Sequence, residues 1–208
     1  MPTSFSTSTP RIYSFAVALA SSARLFVVSQ LARHPDLSCY SDPQKRAREW
    51  LSLHKDTFEA VPGPVGTEKR RRLTKYARRQ LKTSQKAISG VSQRAEHWIG
   101  LGDIWIALTL AGGRPDEWVT EPDGQFDVAF TWCNRSYLLE YQRTPITSKQ
   151  WAAKWEKRKR WYTAQQWDVR PCVVLVDLTR QQVETIQPPA GTIHVYHPDE
   201  LSRVLTRQ

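Results

Sequence analysis

The chain has 208 residues, 40% of them hydrophobic and 24% charged, with a formal net charge of +10. These values exclude a wholly disordered chain and a disulfide-stapled miniature, and they suit one substantial domain or two small ones. The charge is uneven: residues 1–90 hold 16 Lys or Arg against 6 Asp or Glu, and residues 91–208 hold 14 against 14, so the first portion carries the whole +10. That portion suits a polyanion and the remainder does not.

Residues 1–10, rich in Ser, Thr and Pro, are expected to form a flexible tail. Arg11, the apolar run Ile12–Ala20 and then Ser21-Ser22-Ala23 have the outline of an export signal. Ser14 interrupts that run, however, and Arg24-Leu25-Phe26-Val27-Val28 continues a helical pattern through the supposed cleavage point. Ile12–Ala20 is therefore read as a first helix and Ala23–His34 as a second, ended by Pro35. Asp42 offers an N-cap and Pro43 a first-turn residue for a third helix running to about His54. Ala47, Trp50 and Leu51 would face inward, and Gln44, Lys45 and Arg48 outward. Residues 57–61 and 65–73, joined through Pro62-Gly63-Pro64, read as a hairpin whose second strand bears Lys69, Arg70, Arg71 and Arg72. A helix over Lys75–Leu81 adds Arg78 and Arg79.

Three helices followed by a basic hairpin is the order of a winged helix-turn-helix, assigned here to residues 11–85. Arg and Lys neutralise phosphates and release counterions, while Gln44, Lys45 and Arg48 are long enough to reach base edges in a major groove. The plainer alternative is that each basic run is a solvated face. Double-stranded DNA is the partner expected of this half.

Residues 83–92 read as a junction, and 92–208 as a second domain that alternates helix and strand. A helix over Arg94–Leu110 carries Glu96, His97 and Asp103. Strands follow at 117–121, 125–132 and 135–142, and then a long helix over Ser148–Trp167. Trp151, Trp155 and Tyr162 form one stripe of that helix, with Lys154, Lys157, Arg158 and Arg160 placed on its flanks. Cys172–Val176 is a continuous apolar run of the kind found in a strand covered on both faces. Thr192–Tyr196 reads as a further strand and Pro198–Leu205 as a terminal helix. The order helix, three strands, helix, strand, helix, strand, helix implies a mixed sheet flanked by helices, so the chain is α/β in this half and α+β overall. Most of the nine Trp are expected in the core.

Phe126-Asp127-Val128 and Leu139-Glu140-Tyr141-Gln142 carry the chemistry. Alternation puts Glu140 and Gln142 on one face about 7 Å apart, with Asp127 on the neighbouring strand. Two carboxylates on adjacent strands can hold Mg²⁺ or Mn²⁺ through oxygen ligands, and a metal-bound water can attack phosphorus. Acids on a wet strand face are the bland alternative. The order of elements resembles the core of the PD-(D/E)xK nuclease superfamily, with Asp127, Glu140 and Gln142 where that superfamily keeps its Asp and Glu-x-Lys. Gln142 departs from the pattern: a neutral amide positions water but carries no charge. Glu96 is the candidate for an auxiliary acid, with Asp103 second. His97, His194 and His197 are read as capping, packing or surface residues.

The three cysteines, Cys39, Cys133 and Cys172, form no Cys-x-x-Cys pair and argue against a zinc ribbon or an exported disulfide framework. No apolar stretch is long enough to span a bilayer, and a cytoplasmic location is expected.

From about residue 12 onward the chain resembles the replication-relaxation family of plasmid and mobile-element proteins. The resemblance rests on Leu31-Ala32, Arg46-Ala47-Arg48-Glu49-Trp50-Leu51, Leu73-Thr74-Lys75-Tyr76-Ala77, His97, Asp127, Glu140-Tyr141-Gln142-Arg143-Thr144 and Lys154–Tyr162. It implies a DNA-binding accessory or regulatory protein of a plasmid, phage or other mobile element, acting in replication, relaxation or mobilisation beside proteins of that machinery. Its nuclease-like domain would act as a Mg²⁺-dependent endonuclease or nickase if Asp127, Glu140 and Gln142 are active. Winged-helix proteins commonly work as homodimers, although no heptad that would supply a coiled coil is visible.

Overall fold

A computed structural model describes residues 9–83, 88–92, 94–180 and 191–206. The fold is mixed α and β with two separate sheets, and the chain divides into two compact units, Met1–Ile106 and Ala107–Gln208. The division falls inside a long helix rather than at residues 83–92. Part of the expected tail and of the expected junction, residues 1–8 and 84–87, lies outside the described residues.

In the first unit, α1 (Thr9–Ala23) buries Phe15, Ala16, Leu19, Ala20 and Ala23. The second helix expected over Ala23–His34 is corrected: Arg24 takes a left-handed φ of 59°, which an L-residue does not propagate into a helix. Phe26–Val27 then forms strand β1, and only α2 (Val28–Leu31) remains helical there. Pro35, expected to end a helix, instead opens the short α3 (Pro35–Ser38), where its missing N–H leaves nothing unpaired. Helix α4 (Pro43–Leu53) follows the sequence expectation closely, with the Asp42 carboxylate accepting from the Lys45 N–H at 2.8 Å. Strands β2 (Phe58–Val61) and β3 (Arg70–Leu73) pair antiparallel, and β1 joins the other edge of β3, giving the order β1-β3-β2. Helix α5 (Lys75–Gln80) is capped by Thr74, whose hydroxyl accepts from the Ala77 N–H at 3.1 Å.

Helix α6 (Ala95–Gly112) continues through Gly100 and Gly102, and its start belongs to the first unit. The buried Gln30 side chain explains this: its amide donates to the Ile99 carbonyl at 2.7 Å and to Asp103 at 3.0 Å, tying α6 to α2. At Gly102 a Cβ would stand 3.0 Å from that same amide nitrogen, so a side chain there would press on the bond.

The second unit is a five-stranded sheet in the order β4-β5-β6-β7-β8. Strands β4 (Asp116–Thr120), β5 (Val128–Trp132) and β6 (Arg135–Gln142) form an antiparallel meander. Cys133 and Asn134, with φ of 49° and 62°, make the two-residue turn between β5 and β6, the geometry that matches strand twist in a tight hairpin. Strands β7 (Cys172–Asp177) and β8 (Ile193–Val195) then add in parallel. The helix expected between those two strands would fall at 181–190, outside the described residues. Helix α7 (Ser148–Ala164) covers one face of the sheet, and α8 (Pro198–Leu205) follows β8. Phe126, Leu138, Trp151, Trp155, Tyr162, Val173 and Leu175 form the core between α7 and that face. Among the described residues no helix is long and apolar enough to cross a membrane.

Candidate functional site

Two sets of residues matter, one in each unit. In the first, α4 is amphipathic as its spacing requires: Ala47, Trp50 and Leu51 are buried, while Gln44, Lys45 and Arg48 are exposed. Trp50 stacks on His54 with ring centroids 3.9 Å apart, which fixes the inner face and leaves the outer one to solvent.

The cations of the β2–β3 hairpin and α5 are not equivalent. Lys69 and Arg79 are exposed. Arg70 is only 2% exposed, with its guanidinium donating to the Gly90 carbonyl and pairing with Glu96. Arg72 donates to Glu59 at 2.7 Å and to the Ile88 carbonyl at 2.8 Å, and Arg78 reaches the Leu73 carbonyl at 3.2 Å. Arg71 is half-buried. The strand named as a backbone-tracking element thus spends Arg70 and Arg72 on holding its own unit together. Glu96 is engaged by Arg70, and Asp103 by Gln30 and by Arg33 at 3.3 Å. Both acids proposed as auxiliaries are therefore held by cations or amides of the first unit.

In the second unit, Asp127 lies one residue before β5 and brackets Glu140. Its N–H donates to the Leu139 carbonyl at 3.0 Å, and its Oδ2 accepts the Tyr141 N–H at 2.8 Å. Glu140, Gln142 and Asp177 sit at the same end of neighbouring strands, where Gln142 is the register partner of Asp177. Asp127 thus lies beside Glu140, and Gln142 follows on the same strand. Glu140 is 1% exposed, so it is no acid on a wet face.

Two cations from α7 meet it. Lys154 Nζ pairs with Glu140 Oε1 and donates to Gln142 Oε1 at 2.7 Å. Arg158 Nη2 pairs with Glu140 Oε2, and its Nε donates to the Gln125 carbonyl. The Gln142 amide nitrogen donates to the Thr144 carbonyl. Lys154 therefore brings a positive charge between Glu140 and Gln142. Burial, and then the neighbouring Asp127 carboxylate, push the Glu140 carboxyl up to about 7, against the pull of Arg158 and Lys154.

The sequence suggests a flank of α7 for Arg158, yet it is buried. A signal was present: positions 151, 155, 158 and 162 have the 4-3-4 spacing of one helical stripe, so Arg158 occupies a core position between aromatic residues. A guanidinium at such a position requires a buried anion opposite, because it cannot shed its proton. Asp177, with no exposed surface, was also passed over. Its Oδ1 accepts from the Thr179 N–H at 2.9 Å and from the Thr179 hydroxyl.

The donor set decides whether Mg²⁺ or Mn²⁺ fits. Among the described residues no three His, Cys, Asp or Glu side chains gather as a cation site. Each Glu140 oxygen already pairs with a cation, and two carboxyl groups face two basic side chains, so the set offers a dication no net negative charge. A small divalent ion seeks about six oxygen ligands in near-octahedral array. These residues do not fit it unless both basic side chains withdraw.

Comparison of the chain with protein-family models, with curated proteins and with solved structures gave no match.

Proposed function

We propose that the protein binds double-stranded DNA through its first unit, as an accessory or regulatory protein of a plasmid, phage or other mobile element. The observation that carries this reading is the outer face of α4, where Gln44, Lys45 and Arg48 are exposed on a capped helix anchored by Ala47, Trp50 and Leu51. The order α1, β1, α2 with α3, α4, then the β2–β3 hairpin supports a winged helix-turn-helix, as does the β1-β3-β2 sheet. In that arrangement α4 enters the major groove, and exposed Lys69 and Arg79 are suited to phosphates. The resemblance to replication-relaxation proteins supplies the biological setting, including replication or mobilisation proteins and a second copy of the chain as partners.

Mobility-shift titration at several salt concentrations tests the reading. Binding should weaken steeply as salt rises, because each phosphate contact releases counterions. Affinity unchanged by salt, or absent altogether, would end the proposal.

A second reading, a Mg²⁺-dependent endonuclease or nickase, draws on one observation. Lys154 stands beside Glu140 and Gln142, Asp127 neighbours Glu140, and the element order α6-β4-β5-β6-α7-β7 supports the PD-(D/E)xK comparison. Against it stands the pairing of both Glu140 oxygens with cations. Nicking of supercoiled DNA in Mg²⁺ or Mn²⁺ that disappears in Asp127→Asn would favour the enzyme. Its absence leaves the DNA-binding reading alone.

A further inference from the structure

We infer that Arg158, with Lys154, occupies the place against Glu140 that a divalent cation would need, so that the Asp127–Glu140 pair is a closed, metal-free charge cluster. The competing ion is named by the nuclease-like reading of the second unit, and the inference rests on that reading to this extent only. DNA binding by the first unit is independent of it.

Three observations carry the inference. First, Glu140 has no spare oxygen: Oε1 meets Lys154 and Oε2 meets Arg158. Second, the two cations differ in freedom. The Lys154 side chain is 29% exposed and can swing into solvent, whereas that of Arg158 is 10% exposed. Arg158 is held at Nε by the Gln125 carbonyl and packed 5.4 Å from the Phe126 ring centroid and 5.7 Å from that of Trp155. A guanidinium keeps its charge at any ordinary pH, so an arriving dication meets a fixed positive charge in a dry site. Third, Arg158 Nη1 is buried without a hydrogen-bond partner. The cluster therefore has a donor to spare, which suits an oxygen acceptor and not another cation. Arg158 is the lock and Lys154 the movable member.

The test is Mn²⁺ titration of the full chain, read by the electron paramagnetic resonance of free Mn²⁺, with Arg158→Met and Arg158→Met/Asp127→Asn beside the wild type. The wild type should hold no stoichiometric Mn²⁺ at about 1 mM, and Arg158→Met should gain at least about tenfold in affinity. The added Asp127→Asn change should remove that gain. One Mn²⁺ per wild-type chain, lost in Asp127→Asn, would overturn the inference. So would a folded Arg158→Met protein, verified by circular dichroism, that binds no more Mn²⁺ than the wild type. The wild-type titration is decisive even where the variant does not fold. A mobility shift with the same preparation reads DNA binding separately: Mn²⁺ uptake by the wild type would leave that reading standing, and a missing shift would leave the closed cluster standing.

Discussion

The two units use positive charge in opposite ways. On α4 of the first unit, Lys45 and Arg48 stand in solvent and contribute little to holding the fold. On α7 of the second, Lys154 and Arg158 turn inward and neutralise Glu140 beneath an aromatic stripe. The net charge of +10 speaks only of the first kind. A basic residue is a candidate for a polyanion when the packing beneath it is already complete, and a structural ion when it fills a position the helix period assigns to the core.

The strongest way to break this contrast is to remove the anion in the second unit. Glu140→Leu removes both the charge and the oxygens that meet Arg158, leaving a buried cation unpaired, and such a change costs about 3–5 kcal/mol. Arg158→Met should cost less, because Glu140 can take up a proton, its carboxyl already being pushed up to about 7. Urea unfolding of both variants measures the difference. An equal or smaller loss for Glu140→Leu would mean that Arg158 does not depend on this partner.

The first unit contains exceptions that sharpen the rule, Arg70 above all. Arg70 sits in the run of four cations Lys69–Arg72, yet it is 2% exposed and serves Gly90 and Glu96. Arg70→Ala leaves the buried Gly90 carbonyl short of a donor, at a cost of about 1–3 kcal/mol. Any loss of DNA affinity in this variant should scale with its unfolded fraction, read by circular dichroism. An affinity loss in fully folded protein would place Arg70 among the contact residues instead.

The same contrast explains what the sequence made legible. The faces of α4 were readable because Asp42, Pro43 and the spacing of Ala47, Trp50 and Leu51 are local signals. Strand β7 was readable from its continuous apolar run, and the shared face of Glu140 and Gln142 from strand alternation. Strand β1 was not, since two residues carry no period and Phe26–Val27 is extended only because β3 pairs with it. The inward place of Arg158 is masked by its charge, although its position in the 151-155-158-162 stripe marks it as a core residue. The engagement of Arg70 was hidden for a related reason: its partners, Gly90 and Glu96, come from a later part of the chain.

A smaller effect follows from Glu140 itself. Its carboxyl lies near 7 in the folded chain and at its ordinary value of 4.5 in the unfolded one, so between these limits the native state binds more protons. Stability contributed by this group is therefore full below about pH 4.5 and declines as pH rises toward 7. Asp127 drives the shift upward together with burial, while Arg158 and Lys154 restrain it. The difference in unfolding free energy between wild type and Glu140→Gln, measured from pH 4.5 to 7.5, isolates this slope from the other carboxylates. A difference that is flat or rises with pH would show that the two cations outweigh burial and Asp127.

The smallest expected effect on stability belongs to the exposed face. Lys45→Ala and Arg48→Ala remove side chains that touch solvent on a helix whose cap and buried face remain, so each should change unfolding free energy by no more than about 0.5 kcal/mol. Their effect on DNA should be the reverse of that of the α7 cations. A residue that meets phosphate lowers affinity for every sequence and flattens the salt slope by about one when removed, whereas a residue that reads a base edge relaxes discrimination at one position. Mobility shifts with several duplexes at several salt concentrations separate the two roles for Lys45 and Arg48. If neither variant changes affinity, salt slope or discrimination while both stay folded, α4 is only a solvated face, and the division between binding charge and structural charge loses its first half.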